Sequence, residues 1–362
     1  MECCAQWGIS NRWWESISGL AACPRVQQNT PSIFAPEGDR PTMKFLTYER
    51  RKGSMRAGLL LRGNRVLDLG KAYAKLNDLA EPAKDDTIGI LDSLRVISAS
   101  LQDIIDGGAS GVDRCRRLEK DAEDARLEGD IYPLGDTPLV APLPAPPLVL
   151  MAQSDAAYHA WLAETVLRRA IAGDDAALPI CQSLSSALIA SPAHEVTYSV
   201  AELEPDVEAH LAVVVGRDLH RASLDEAREG ILGYTGAVCW VGRIAQGTAD
   251  RAGLGAGAAY DAGISLGPWI VTADELEEPA AMKVKYSVNR EERGGGTTAG
   301  GRFVAAELLS VASQARRIPA GTVLLMGGIR GLGSMAGGRF LESGDKVEVN
   351  FSGIGTVRGL IA

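Results

Sequence analysis

An α+β fold, with a small N-terminal part and a larger strand-rich C-terminal part, is what this sequence predicts, and three observations predict it. Two strand-like runs, Leu59-Leu60-Leu61-Arg62 and Arg65-Val66-Leu67-Asp68-Leu69, flank Gly63-Asn64, a pair that tolerates positive φ and so signals a hairpin. Over 87–105 the apolar residues Ile90, Leu91, Leu94, Ile97, Leu101, Ile104 and Ile105 recur at helical spacing and stop at Gly107-Gly108. From about Glu195 onward the chain turns strand-like and glycine-rich, interrupted by one helix at 303–315.

The other segments take their places around these. Residues 1–42 carry Trp7, Trp13 and Trp14 without a sustained period, and 29–32 and 36–39 are loop chemistry; they read as an extension, expected to be disordered or to stem from an upstream start codon. Met43-Lys44-Phe45-Leu46-Thr47-Tyr48 opens like a first strand, so 43–137 reads as a small N-terminal domain. Pro138, Pro142, Pro144, Pro146 and Pro147 make 138–147 a linker, because proline at that density excludes helix and central strand. The second domain, 148–362, begins with a helix expected over 155–172, capped by Ser154 or Asp155. No internal repeat is evident.

Composition excludes several functions. Of 362 residues, 46% are hydrophobic and 23% charged, as in an ordinary soluble globular protein. The net charge is −9 and no long Lys/Arg run occurs, which argues against nucleic acid or an anionic membrane as partner. No apolar run approaches the ~18–20 residues needed to span a bilayer, and no secretory leader is recognisable. The six cysteines form no C-x-x-C pair, which disfavours zinc fingers and redox motifs and points to a reducing cytoplasm.

Four stretches carry chemistry. In the strand 206–216, period-2 alternation places Asp206, Glu208 and His210 on one face ahead of a Val-rich end. Such polar groups are costly unless paired or liganded, and a carboxylate and an imidazole two residues apart can share one divalent ion; the plainer alternative is a solvated strand entrance. In 233–246, Arg243 and Gln246 stand three apart and face the same way on a helical turn. They suit a ligand carboxylate or, equally, form a surface pair; Cys239 by itself reads as a buried, inert thiol. Gly257–Thr272 holds a Gly267-Pro268 turn into a strand, and 319–333 is a strand ending in a glycine-rich loop with no P-loop signature and no helix evident after it. The chain closes on Gly344-Asp345 and Gly353-Ile354-Gly355.

In this order, the stretches resemble the fumarylacetoacetate hydrolase family. Glu208-Ala209-His210-Leu211-Ala212-Val213-Val214-Val215-Gly216 is similar to its E-x-E-L-A-V-V-I-G strand. Gly233-Tyr234-Thr235 with Arg243 and Gln246 resembles G-Y-T-x-x-N-D-x-S-x-R-D, and Gly257, Asp261 and Gly267-Pro268 resemble G-K-x-x-D … G-P. Val288-Asn289 with Thr298, then Gly327, Gly331 and Gly333, then the closing glycine motifs, complete a match over about 195–360. A weaker similarity covers 43–147.

The resemblance implies a mixed β-roll with a small N-terminal α/β domain, a homodimer, and a buried Mg²⁺ or Mn²⁺. It also implies cleavage, decarboxylation or tautomerisation of a small 2-oxo or β-diketo acid, a carboxylate substrate. Carried onto this chain, it implies His159, Glu164 and His210 as catalytic groups, Tyr158, Arg243 and Gln246 against the substrate, and Glu208, His210 and Cys239 toward a metal. The departures are as informative. The second Glu of the pair is His210, the Asp of N-D is Cys239, the Lys of G-K is Ala258, and the T-G-T-P loop reads Met326-Gly327-Gly328-Ile329. Losing two anionic oxygens weakens any hard-cation site, and a Glu–His–Cys set would favour Zn²⁺ if the three converge, or no metal at all. A non-catalytic ligand-binding or structural subunit is the alternative reading.

Overall fold

The chain's apolar alternation and its glycine-marked turns are realised in a computed structural model, which describes residues 43–76, 100–152, 154, 156–167, 179, 181–198, 204–255, 260, 262–276 and 279–362. The N-terminal part runs β1 (Lys44–Arg51), β2 (Ser54–Leu61), β3 (Arg65–Asp68), α1 (Leu69–Leu76), α2 (Leu101–Asp106), α3 (Gly108–Lys120), β4 (Ile131–Pro133) and β5 (Leu139–Val140). There follow β6 (Val149–Ala152), α4 (Ala156–Trp161), β7 (Cys181–Leu184), β8 (Ile189–Ala190), β9 (Ala193–Val196), β10 (Pro205–Val215), α5 (Leu224–Glu229), β11 (Ile231–Gly242) and α6 (Arg243–Arg251). The last run is β12 (Ile264–Thr272), β13 (Lys283–Val288), β14 (Glu291–Thr297), α7 (Ala305–Ala315), β15 (Val323–Leu325), α8 (Ser334–Gly337), β16 (Lys346–Phe351) and β17 (Gly355–Ile361).

The strands form two sheets. The larger has the order β4-β3-β2-β1-β12-β11-β10-β15-β6-β7, with β5 added beside β1 and β8 beside β12; the smaller is β14-β13-β16-β17-β9. Most pairs are antiparallel, but β6 with β15, β8 with β12 and β9 with β17 are parallel, so the architecture is the mixed α+β one expected. Between the sheets lies an apolar layer that includes Val207, Val238 and Trp240 from the larger and Val284, Tyr286, Val349 and Phe351 from the smaller. Leu308 and Leu309 of α7 cover Val213 and Val215 on β10. This covers one face of the β10–β11 pair, the longest strand pair among the described residues, with apolar material.

Several local expectations need correction. The β2–β3 hairpin pairs Leu61 with Arg65, so its loop is Arg62, Gly63 and Asn64, one residue longer than the two-residue turn. Both Gly63 and Asn64 take positive φ, which is what the longer turn requires. Gly267-Pro268 lies within β12 instead of preceding it, and a one-turn helix, α8, does follow the glycine loop. The helix expected over 155–172 is described as α4, followed by a π-helical turn at Leu162–Leu167. Of its two expected caps, Ser154 donates its hydroxyl to the Met326 carbonyl and Asp155 lies outside the described residues. The helix at 303–315 is observed as α7. Of the periodic segment 87–105, only its end, in α2, is described; residues 1–42 lie outside the described residues. Hydrogen bonding crosses the segment proposed as a linker, since β1 pairs both with β5 and with β12. No helix among the described residues is long and apolar enough to cross a membrane.

Candidate active site

The period-2 pattern of β10 decides what meets at the centre of the larger sheet. Val207, Ala209 and Leu211 turn into the layer between the sheets, which leaves Asp206, Glu208 and His210 on the opposite face. The antiparallel register sets Glu208 beside Cys239 and His210 beside Ala237. All three polar residues are fully buried, at 0%, 1% and 0% exposure, so the solvated-entrance alternative is excluded.

At the end of β11 the chain turns into α6, and its first residue, Arg243, folds back over this face. The Arg243 guanidinium donates from Nε to Asp206 Oδ2 at 2.7 Å and from Nη1 to Glu208 Oε1 at 2.6 Å. Nη1 also reaches Gln246 Oε1 at 2.9 Å and Tyr158 Oη at 3.4 Å, and Nη2 reaches the Val207 carbonyl at 3.3 Å. One helical turn on, Gln246 Nε2 donates to the same Glu208 Oε1 at 2.8 Å. The three-residue spacing thus produces a buried pair and not a surface one. Tyr260 Oη donates to the other oxygen, Glu208 Oε2, at 2.6 Å. Asp206 is held further by the backbone N–H and hydroxyl of Ser334 at the start of α8. Gly333 must be glycine there, since a Cβ would stand 2.3 Å from Asp206 Oδ1 and its φ is +61°.

A lid of aromatic residues closes the cluster. On α4, Trp161 stacks over the Arg243 guanidinium at 5.1 Å, and Tyr158 packs beside Trp161. The Tyr158 ring lies directly on Gly328, where a Cβ would stand 2.4 Å from it. The glycine of the loop therefore makes room for the lid.

Electrostatics follow from this packing. Burial opposes ionisation of Glu208, but Arg243 beside it, then the His210 imidazole and the Tyr260 hydroxyl, outweigh that and hold it well below the usual carboxylate range. Burial alone would weaken the Arg243 charge; Tyr158, Asp206 and Glu208 reverse this and keep it firmly cationic. The Cys239 thiol is pushed well up by burial and then by the Glu208 charge, so it stays protonated. The Tyr158 and Tyr260 phenols are likewise pushed well up, chiefly by burial. His210 stands apart. Its Nε2 is 3.6 Å from Glu208 Oε2, too long for a hydrogen bond, and both ring nitrogens are buried with no partner among the described residues.

The sequence candidates thus divide. Tyr158, Glu208, His210, Cys239, Arg243 and Gln246 come together in one buried cluster. Glu164 is exposed on the π-helical turn, and His159 belongs to α4, its side chain outside the described residues. Arg243, expected to hold a substrate carboxylate, is engaged by two internal ones. Tyr260 and Ser334 were missed. Tyr260 falls inside the Gly257–Thr272 stretch but has no periodic partner, and only the fold brings it to Glu208. Asn289 and Thr298 make structural bonds, to Asp345 and to the Pro279 carbonyl.

A divalent ion does not fit this donor set. Mg²⁺ and Mn²⁺ seek several oxygen ligands, ionised where possible. Here both Glu208 oxygens already accept internal hydrogen bonds, Cys239 offers a soft sulfur in place of a hard oxygen, and Asp206 is tied to Arg243 and Ser334. Among the described residues, no group of three or more His, Cys, Asp and Glu is disposed to hold a metal.

Comparisons with known proteins bear on the fold and family. The family model described as fumarylacetoacetate (FAA) hydrolase C-terminal matches residues 153–362. The oxaloacetate tautomerase YisK of Bacillus subtilis (strain 168) is 26% identical over 324 residues, covering 88% of this chain and all of that protein. The structure of maleylpyruvate hydrolase from Sphingobium sp. SYK-6, in complex with manganese(II) and pyruvate, has a TM-score of 0.60 at 18% identity, covering 88% of this chain and 99% of that one. The fumarylacetoacetate hydrolase of the psychrophile Exiguobacterium antarcticum has a TM-score of 0.61 at 21% identity, with the same coverage. At such identities the two structures speak to the fold alone.

Proposed function

The chain belongs to the fumarylacetoacetate hydrolase family, and from that premise we propose that it is a tautomerase of a small 2-oxo or β-diketo acid. The observation that carries this reading is the buried imidazole of His210, without a hydrogen-bond partner among the described residues and facing a carboxylate that accepts from Arg243, Gln246 and Tyr260. Keto–enol interconversion moves one proton from carbon to oxygen or back. It needs a group that takes and returns that proton, and a fixed charge that steadies it in between. His210 is the proton carrier in this reading, and Glu208 stabilises the imidazole while it holds the proton. C–C hydrolysis asks for more, an activated water and an electrophile on the departing enolate, and the donor set offers no hard cation to act as one. In this reading α4, whose Tyr158 and Trp161 lie against Arg243, moves aside to admit substrate. The relative named as an oxaloacetate tautomerase, matched over its whole length, supports this choice among the family's reactions. Carboxylate substrate, homodimer and cytoplasmic setting belong to the proposal by family likeness.

The test follows enol decay of oxaloacetate and of acylpyruvates by ultraviolet absorbance, with pyruvate release measured in parallel. Tautomerisation without cleavage is expected, falling by about 10²–10⁴ in His210→Ala. One observation favours a second reading, a non-catalytic relative: Arg243 is wholly engaged inside the protein. A carboxylate that raises the melting temperature, with no turnover in wild type, would replace the first reading by the second.

A further inference from the structure

We propose that Arg243 and Tyr260 together stand in for the divalent cation at Glu208, so that this carboxylate is compensated from within and needs no metal. Three observations lead there. First, Glu208 is the one carboxylate left of the family's E-x-E pair, and its two oxygens are divided between these donors: Oε1 takes Arg243 and Gln246, Oε2 takes Tyr260. At Oε1 a metal ion would have to displace one of two hydrogen bonds, the 2.6 Å charge-assisted one from Arg243 or that from Gln246, and at Oε2 it would have to share the oxygen with Tyr260. Second, the site has lost anions that a cation would need. Replacing a carboxylate by His210 and another by Cys239 removes two negative charges, and the remaining anions, Asp206 and Glu208, share the single guanidinium of Arg243. A divalent ion added to this set would leave it with excess positive charge in a site closed to water, which is costly. Third, Tyr260 lies outside the family's quoted motif residues, and its hydroxyl is a neutral donor directed at the oxygen that faces His210. Its role is that of a positioning residue: it fixes the Glu208 carboxylate without binding substrate.

Two measurements decide the matter, and neither depends on the tautomerase reading. The first uses the wild-type chain: elemental analysis as purified, then melting temperature with 1 mM EDTA and with 1 mM Mn²⁺. Less than about a tenth of a metal ion per chain, with melting shifts of about 1 °C or less, is expected. About one ion per chain, with melting lowered several degrees by EDTA, would overturn the proposal. The second is a double-mutant cycle in urea with Tyr260→Phe and Glu208→Gln. A hydrogen bond to a charged group predicts that Tyr260→Phe alone shifts the unfolding equilibrium constant by about tenfold or more, and by much less once Glu208 is neutral. Equal effects in both backgrounds would remove Tyr260 from the role, since a merely structural ring would lose the same packing either way. Retained turnover with a bound metal would overturn this proposal and leave the tautomerase standing; no metal and no turnover would do the reverse.

Discussion

At the scale of single residues, the candidate site is a problem in buried charge. Asp206, Glu208 and Arg243 sit where water does not reach, and each is tolerable only because the others are there. Arg243→Met is therefore expected to destabilise the protein by about 3–5 kcal/mol in urea unfolding, because it leaves two carboxylates uncompensated. Arg243→Lys should recover only part, since a point charge cannot fork between two carboxylates. A loss below about 1 kcal/mol for the Met variant would show that the carboxylates are compensated elsewhere. Much of this cluster was legible in the sequence. Alternation in 206–216 put Asp206, Glu208 and His210 on one face, and the three-residue spacing of Arg243 and Gln246 aligned them. What was not legible is the direction of the guanidinium. A fork suited to a ligand carboxylate is equally suited to Glu208, and only the turn from β11 into α6 determines which it meets. Tyr260 and Ser334 reach the cluster from distant segments, and no local pattern marks such meetings.

At the scale of elements, the two sheets approach so closely that side chains on one are accommodated by missing side chains on the other. A Cβ on Gly359 of β17 would stand 2.2 Å from the Trp240 ring on β11, and one on Gly236 of β11 would stand 2.5 Å from the Phe351 ring on β16. Trp240 cannot retreat freely, because its indole N–H donates to Ser265 Oγ at 3.0 Å. Gly359→Ala should accordingly cost about 1–3 kcal/mol by overpacking. Chemical denaturation followed by tryptophan fluorescence reads it; a neutral result would mean that the sheets can part without penalty. The consequence reaches the site, since β11 also carries Cys239 and leads into Arg243. The sequence marked these strands by alternation and glycine content, but a glycine at a turn and a glycine beneath a partner's ring look alike in a sequence.

At the scale of the whole molecule, one acidic group ties together segments far apart in the chain. Glu275, just past β12, accepts the Met43 backbone N–H through Oε1 at 2.6 Å at the entry to β1. Burial first, and then the charges of Asp274 and of Glu119 on α3, raise its carboxyl to about 7, against the bond from Met43. The sign follows from proton binding. Between its ordinary value, about 4.5, and about 7, the folded chain holds a proton that the unfolded chain has released. That contribution to stability is complete below about 4.5 and is lost as pH rises through about 7. Melting temperature should therefore fall from pH 5 to pH 8, and Glu275→Gln should flatten the fall; an unchanged slope in the variant would assign the dependence to other groups.

The sequence alone determined the α+β class, the order of the family-like stretches and the set of polar residues on β10, because side-chain alternation and turn chemistry are local and survive in the order of residues. Tertiary structure decided that the cluster is sealed, that Arg243 turns inward, and that Tyr260 completes the hydrogen bonding of Glu208. Those outcomes depend on which distant segments meet and on whether water is excluded where they do, and burial is what turns a group of polar side chains into a fixed charge beside a buried imidazole.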